Sequence, residues 1–147
     1  MVFPRGRAEA TLNVINYNEN IPSKDPIKEL IIIFGGVNDI NTLNELWIFR
    51  MSTSTWSQIE IKGSPLLPRK GHSAVVFYNT TDENINSEII RKYSIIVYGG
   101  KNDDGYLNNI LIIDISYMVL QDTFFYKFIT VESKGGLVPE KREVNYK

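Results

Sequence analysis

Cysteine is absent from the 147 residues, and histidine occurs once, at His72. The first absence excludes disulfides, cysteine zinc sites and thiol catalysis. A lone imidazole, with no second His or Cys, makes metal binding and general-base chemistry poor readings of His72. Neither sign of charge dominates, with 16 Lys and Arg against 17 Asp and Glu. The chain therefore carries no electrostatic footprint for nucleic acid or for an anionic membrane. Long hydrophobic runs are missing too: those at 30–34 and 95–98 are far shorter than the roughly 20 residues of a membrane-spanning helix. The N-terminal Met1-Val2-Phe3-Pro4-Arg5-Gly6-Arg7 does not look like a signal peptide. The location expected from these features is the cytoplasm, with the nucleus as the alternative.

What is present is ample apolar material, 43% of the residues, arranged as a repeat. Leu30-Ile31-Ile32-Ile33-Phe34-Gly35-Gly36 returns as Ser94-Ile95-Ile96-Val97-Tyr98-Gly99-Gly100, an offset of 64. The same offset aligns Leu43-Asn44-Glu45-Leu46 with Leu107-Asn108-Asn109-Ile110, and Pro4-Arg5 with Pro68-Arg69. A third start is marked near the C-terminus. Gly136 and Arg142, with Pro139 between them, are spaced as Gly63 and Arg69 are, around Pro65 and Pro68, at an offset of 73. Internal repeats of this kind set the whole fold.

Each copy reads as four short strands, a to d: 8–15, 30–34, 45–51 and 56–61 in the first, and 73–78, 93–98, 109–115 and 123–131 in the second. All are rich in Ile, Val, Phe and Tyr, and no segment has a helical period. Strand b is apolar throughout, as in a strand covered on both faces. The polar stretches 16–29 and 79–92 read as long a–b connections.

Two glycines directly after a buried strand permit positive φ and close approach of other backbone. Trp56 at the start of strand d has the bulk to wedge between face-packed units. The simple offset puts Leu120 in its place in the second copy, whereas counting back from the glycines favours Phe128. Arg69, after a Pro-rich turn, has a planar fork of donors suited to holding backbone carbonyls, and the alignment finds it again as Arg5 and Arg142. His72, aligned with Ala8 and Asn145, reads as a hydrogen-bonding residue at the start of strand a.

These residues together resemble the kelch repeat: Ile33-Phe34-Gly35-Gly36, Leu43-Asn44-Glu45-Leu46-Trp47, Trp56 and Pro68-Arg69-Lys70-Gly71-His72. The resemblance covers nearly the whole chain. It implies an all-β fold, a kelch-type β-propeller fragment of two four-stranded antiparallel blades. The blades would be 1–69 and 70–142, with 143–147 the stub of a third. Propellers close with about four to eight blades, so the chain is expected to be a fragment of a larger kelch protein. Further blades of that parent chain, or self-association, would complete the ring.

No catalytic pattern accompanies the repeat: there is no nucleophile elbow, no Walker-type loop and no His-Glu-x-x-His. Asn102-Asp103-Asp104-Gly105 has part of a calcium-loop spelling, but Gly100 and Leu111 would stand where that loop needs carboxylates. No metal and no cofactor are expected. The resemblance implies a non-catalytic module that binds a protein partner through its b–c loops, 37–43 and 101–107, and its d–a loops, 62–71 and 133–141. The candidate contact residues are Asn38, Asp39, Lys70, Lys101, Asn102, Asp103, Asp104 and Tyr106. An alternative is a regulatory kelch region of a larger enzyme, such as a Ser/Thr protein phosphatase, or a BTB-type ubiquitin-ligase adaptor.

Overall fold

Short runs of β-branched and aromatic residues, broken by polar turns, favour hairpins between chain neighbours. The computed structural model describes residues 2–17, 29–61, 66–78, 83–85, 88–119 and 121–131 and shows such a meander twice. In the first sheet β1 (Thr11–Asn16), β2 (Glu29–Phe34), β3 (Leu46–Arg50) and β4 (Thr55–Ile59) lie side by side in sequence order. In the second, β5 (Ser73–Tyr78), β7 (Glu88–Tyr98), β10 (Ile110–Met118) and β11 (Thr123–Val131) repeat that order. A short β6 (Glu83–Ile85) pairs with the beginning of β7, and β8 (Lys101–Asn102) with β9 (Gly105–Tyr106) makes a small hairpin between β7 and β10. Every pairing is antiparallel, and no helix occurs among the described residues. The fold is all-β, with the two antiparallel meanders that the repeat implies. The third start, 143–147 included, lies outside the described residues.

The second sheet is taller than its sequence suggests. The stretch 79–92 reads as a polar loop, yet Glu88–Lys92 continues β7, and Ile90, Arg91 and Lys92 pair with Met118, Tyr117 and Ser116. Arg91 and Lys92 have partners, which is what allows a polar segment to enter a sheet. Arg91 is buried and donates to the Tyr17 carbonyl at 2.8 Å, and Lys92 meets Glu83 at 2.6 Å. Most of the first a–b connection, residues 18–28, lies outside the described residues.

Side chains alternate across a strand, so the register decides what each face carries. On one face of the first sheet Ile15, Leu30, Ile32, Phe34, Leu46 and Ile48 are buried. They share one core with Tyr93, Ile95, Val97, Leu111, Ile113 and Ile115 of the second sheet. Burying each such side chain contributes about 1.5–3 kcal/mol. At the end away from the glycines, Tyr17 and Tyr117 meet edge-on with centroids 4.8 Å apart, and Phe124 stacks on Tyr117 at 4.6 Å. Arg50 of β3 crosses there to Asp122 at 3.1 Å and lies over the Phe124 ring. The two sheets are thus joined at both ends as well as through their middles.

Candidate partner-binding loop face

The b–c and d–a connections come together at the Gly-Gly end, and main-chain bonds tie them. Ala8 and Val37 exchange two hydrogen bonds of 2.9 and 2.8 Å, and Lys70 and Lys101 exchange two of 2.9 Å. Leu43 donates to the Gly36 carbonyl and Leu107 to the Gly100 carbonyl, both at 2.8 Å. Ala8 therefore stands where Lys70 stands, and Glu9 where Gly71 stands. Both of the latter have positive φ, 55° and 61°.

This correspondence corrects the alignment of the arginines. Arg69 Nη1 donates to the Gly99 carbonyl and Nη2 to Asn109 Oδ1, each at 3.2 Å. Arg7 Nη1 donates to the Gly35 carbonyl at 3.2 Å and Nη2 to Glu45 Oε2 at 2.7 Å. The counterpart of Arg69 is Arg7; Arg5 is exposed and only its carbonyl takes part, accepting from Arg7 Nε. The counterpart of His72 is accordingly Ala10 and not Ala8. The offset is 62 up to β1, since Thr11 pairs with Phe34 as Ser73 pairs with Tyr98, and 64 across β2 and β3. Two extra residues in the second a–b connection account for the change. Arg142 lies outside the described residues.

Arg69 spans the two sheets. Its own N–H donates to the Leu43 carbonyl at 3.0 Å and its carbonyl accepts from Gly36 at 2.9 Å, both in the first unit. Its side chain, with the whole residue 1% exposed, serves the second. Burial lowers its pKa from the usual value to about 10, so the guanidinium stays charged near neutrality.

The paired glycines divide the work. A Cβ on Gly35, at φ +63°, would come within 2.6 Å of the Arg69 carbonyl and 2.9 Å of His72 Cε1, in the following unit. A Cβ on Gly36 would meet the Ala8 carbonyl at 2.7 Å and Ala10 Cβ at 2.8 Å, in its own unit. Gly100 repeats the second role against the Lys70 carbonyl at 2.6 Å, and Gly99 has positive φ like Gly35. Trp56 stands opposite Phe49, rings 5.0 Å apart, on the side of the first sheet turned away from the second. Phe128, opposite Ile113, occupies the matching place in the second sheet and packs against the core between the sheets. Leu120 lies outside the described residues.

His72 is fully buried beside the Phe34 ring, and its Nε2 is 2.9 Å from Thr11 Oγ1. Burial, with help from the nearby Arg69 charge and against a weak pull from the Phe34 carbonyl, lowers its pKa to about 4. The unfolded chain takes up this proton near pH 6.5, and the folded protein holds it off until about pH 4. Stability from this group is therefore complete above pH 6.5 and lost as pH falls through that window. Between pH 7 and pH 4.5 the loss is about 2.5 kcal/mol. In the His72→Gln variant, which keeps a partner for Thr11 and does not titrate, urea unfolding at the two pH values should show a drop smaller by about that amount.

The exposed candidates form the outer layer of this end. Asn38 Oδ1 accepts from the Ile40 and Asn41 amides at 3.0 and 2.8 Å, shaping the first b–c turn, with Asp39 exposed on it. Asn102 Oδ1 likewise accepts from the Asp104 amide at 3.0 Å. The two b–c loops touch where Thr42 donates to Asp103 Oδ1 at 3.3 Å. Lys70 and Lys101 are half-buried at their bridge, Lys70 with Glu9 at 3.9 Å, while Asp104 and Tyr106 are exposed. Loop residues 62–65 and 133–141 lie outside the described residues. Sequence reasoning passed over Ile40, which is 80% exposed at the turn tip between Asp39 and Asn41. Among the described residues no group of His, Asp and Glu gathers as a metal site. The open cleft of about 380 Å³ beside β4 includes Glu45 and Glu60. Burial pushes Glu45 up, but the Trp47 indole and Arg7 outweigh it and hold the carboxyl below its usual value, as a structural anion.

The geometry agrees with comparisons to known proteins. The family model described as the KLHDC2/KLHL20/DRC7 Kelch-repeats domain matches residues 27–143. The leucine-zipper-like transcriptional regulator 1 homolog of Drosophila melanogaster is 33% identical over 79 residues, covering 48% of this chain and 8% of that protein. The chain thus spans a small part of that relative's length. On the extent of the family match and the doubled four-strand meander, this chain belongs to the kelch-repeat domain family.

Proposed function

We propose that the chain binds a protein partner through the b–c and d–a loops at its Gly-Gly end and performs no chemistry of its own. Kelch domains are in general protein-interaction modules. The observation that carries the loop assignment is the pair of main-chain bridges, Ala8 with Val37 and Lys70 with Lys101, that tie the two sets of loops to each other. Loops held on a rigid scaffold are where proteins place contact residues, and this end presents Ile40, Asp104 and Tyr106 to solvent. Exposed tyrosine is a frequent anchor of such contacts. A cytoplasmic or nuclear partner fits the cysteine-free composition.

Tyr106→Ala combined with Asp104→Lys should weaken capture of a cross-linked and identified partner by tenfold or more, with an unchanged urea midpoint. Thr53→Lys at the opposite end should leave capture unchanged. Equal binding by all three proteins removes this face from the proposal. A second reading makes the same face the regulatory or adaptor part of a larger protein. It is favoured by the relative in which the matched stretch is only 8% of the length.

A further inference from the structure

At the end away from the glycines, the first sheet holds a cation whose partner belongs to the second. Arg50 is on β3, and Asp122, 3.1 Å from it, stands just before β11. Their side chains are 27% and 58% exposed, and an ion pair so open to water is weak and readily displaced by a stronger acceptor. Asp122 also accepts from the Tyr117 hydroxyl at 2.9 Å, so it keeps a partner when Arg50 leaves.

The register supplies that stronger acceptor with a place to stand. Thr55 of β4 lies directly opposite Arg50. The two side chains therefore share one face of the sheet, with Cβ atoms about 5 Å apart. Thr55 is exposed, and its hydroxyl is 2.7 Å from that of Thr53 in the preceding turn. In the second sheet the same two places hold Asp114 and Lys127, one facing the other. The repeat thus accommodates a pair of opposite charges here, and the first sheet has the cation facing a hydroxyl. β4 is also an edge strand, paired on one side alone among the described residues, so its extended backbone is open to another protein.

We propose that Thr55 is a phosphorylation site whose phosphate draws Arg50 back to its own sheet and releases Asp122. A Ser/Thr protein kinase transfers the terminal phosphoryl group of ATP to Thr55 Oγ1. The new O–P bond replaces the bond to the β-phosphate oxygen, ADP leaves, and the hydroxyl proton passes to the carboxylate base of the kinase. The product carries about two negative charges near neutral pH, on several acceptor oxygens. It meets the planar Arg50 fork across the ladder and takes a further bond from the Thr53 hydroxyl. The same charge repels the Asp122 carboxylate. The link between the sheets opens at this end, while the core and Arg69 hold the rest.

Two measurements on the full chain test this. In protein recovered from its source cells with phosphatases inhibited, the tryptic peptide 51–62 should carry phosphate on Thr55. A peptide without phosphate, or with phosphate only on Ser52, Thr53, Ser54 or Ser57, overturns the proposal. With phosphothreonine installed at position 55 during synthesis, hydrogen exchange at the Thr123 amide should quicken by about fivefold or more, with the Gly36 amide unchanged. Arg50→Gln should quicken the Thr123 amide without any phosphate, and combining it with phosphothreonine should add nothing further. Unchanged exchange in the phosphorylated chain overturns the proposal, and so does a full additional effect in the combination. If circular dichroism shows the phosphorylated chain unfolded, Thr55→Glu takes its place in the same comparison.

Discussion

Replacing Arg69 with alanine should lower the unfolding free energy by about 3 kcal/mol in urea denaturation. Two opposing effects set this figure. The charge is costly to bury, as its depressed pKa of about 10 shows, and removing it recovers that cost. Against this, the Gly99 carbonyl and Asn109 Oδ1 lose their donors inside the protein, and a cavity opens where a large, 1% exposed residue stood. Orphaned buried acceptors cost about 1–3 kcal/mol each, and the cavity adds to them. Arg69→Lys keeps the charge but loses the planar fork that reaches both acceptors, so it should recover only part of the loss. Arg7→Ala removes the equivalent fork but should cost less, about 1–2 kcal/mol. Its partner Glu45 has a side chain 33% exposed, so water can take the place of the arginine.

Gly35→Ala should be comparably damaging, at about 3 kcal/mol or more. The left-handed backbone at φ +63° costs an alanine about 1–2 kcal/mol. The new methyl must also move the Arg69 carbonyl, 2.6 Å away, and overpacking of this kind costs a further 1–3 kcal/mol or so. The obstructing atom is backbone from the neighbouring unit, so the strain falls on the joint between the sheets. Hydrogen exchange should therefore quicken at the Gly36 and Arg69 amides, whose bonds cross that joint. Gly6→Ala, with nothing within 4 Å of the added methyl, is the control and should change stability by less than about 0.5 kcal/mol.

Much of this architecture was legible because strands b and c carry it in short, contiguous words. The apolar run ending in Gly-Gly and the Leu-Asn spacing that follows keep one offset in both copies, and the structure places them alike. The arginine was harder to place. Pro4-Arg5 matches Pro68-Arg69 letter for letter, whereas the true partner, Arg7, follows Gly6 and is recognised only by what its side chain reaches. A two-residue difference in a surface connection costs the fold little, yet it shifts every upstream match. The upper part of β7 was missed for another reason. Arg91 and Lys92 look like loop residues until Tyr17 and Glu83, far apart in sequence, are seen to satisfy them. The exposed loop candidates obey no packing rule, so only their surroundings in space distinguish them.

The division of labour between Gly35 and Gly36 bears on how such a protein can be cut and recombined. Sheets end at Ile59 and begin again at Ser73, which suggests a natural module between those points. The Gly35 backbone, however, is fitted to Arg69 and His72, residues that precede the next sheet. The unit that must be inherited intact therefore runs past the sheet boundary, through His72. A chimaera joined just after β4 would part Gly35 from the residues it was fitted to, whereas one joined after His72 keeps that set together and moves the seam to the contacts of Arg69 with Gly99 and Asn109.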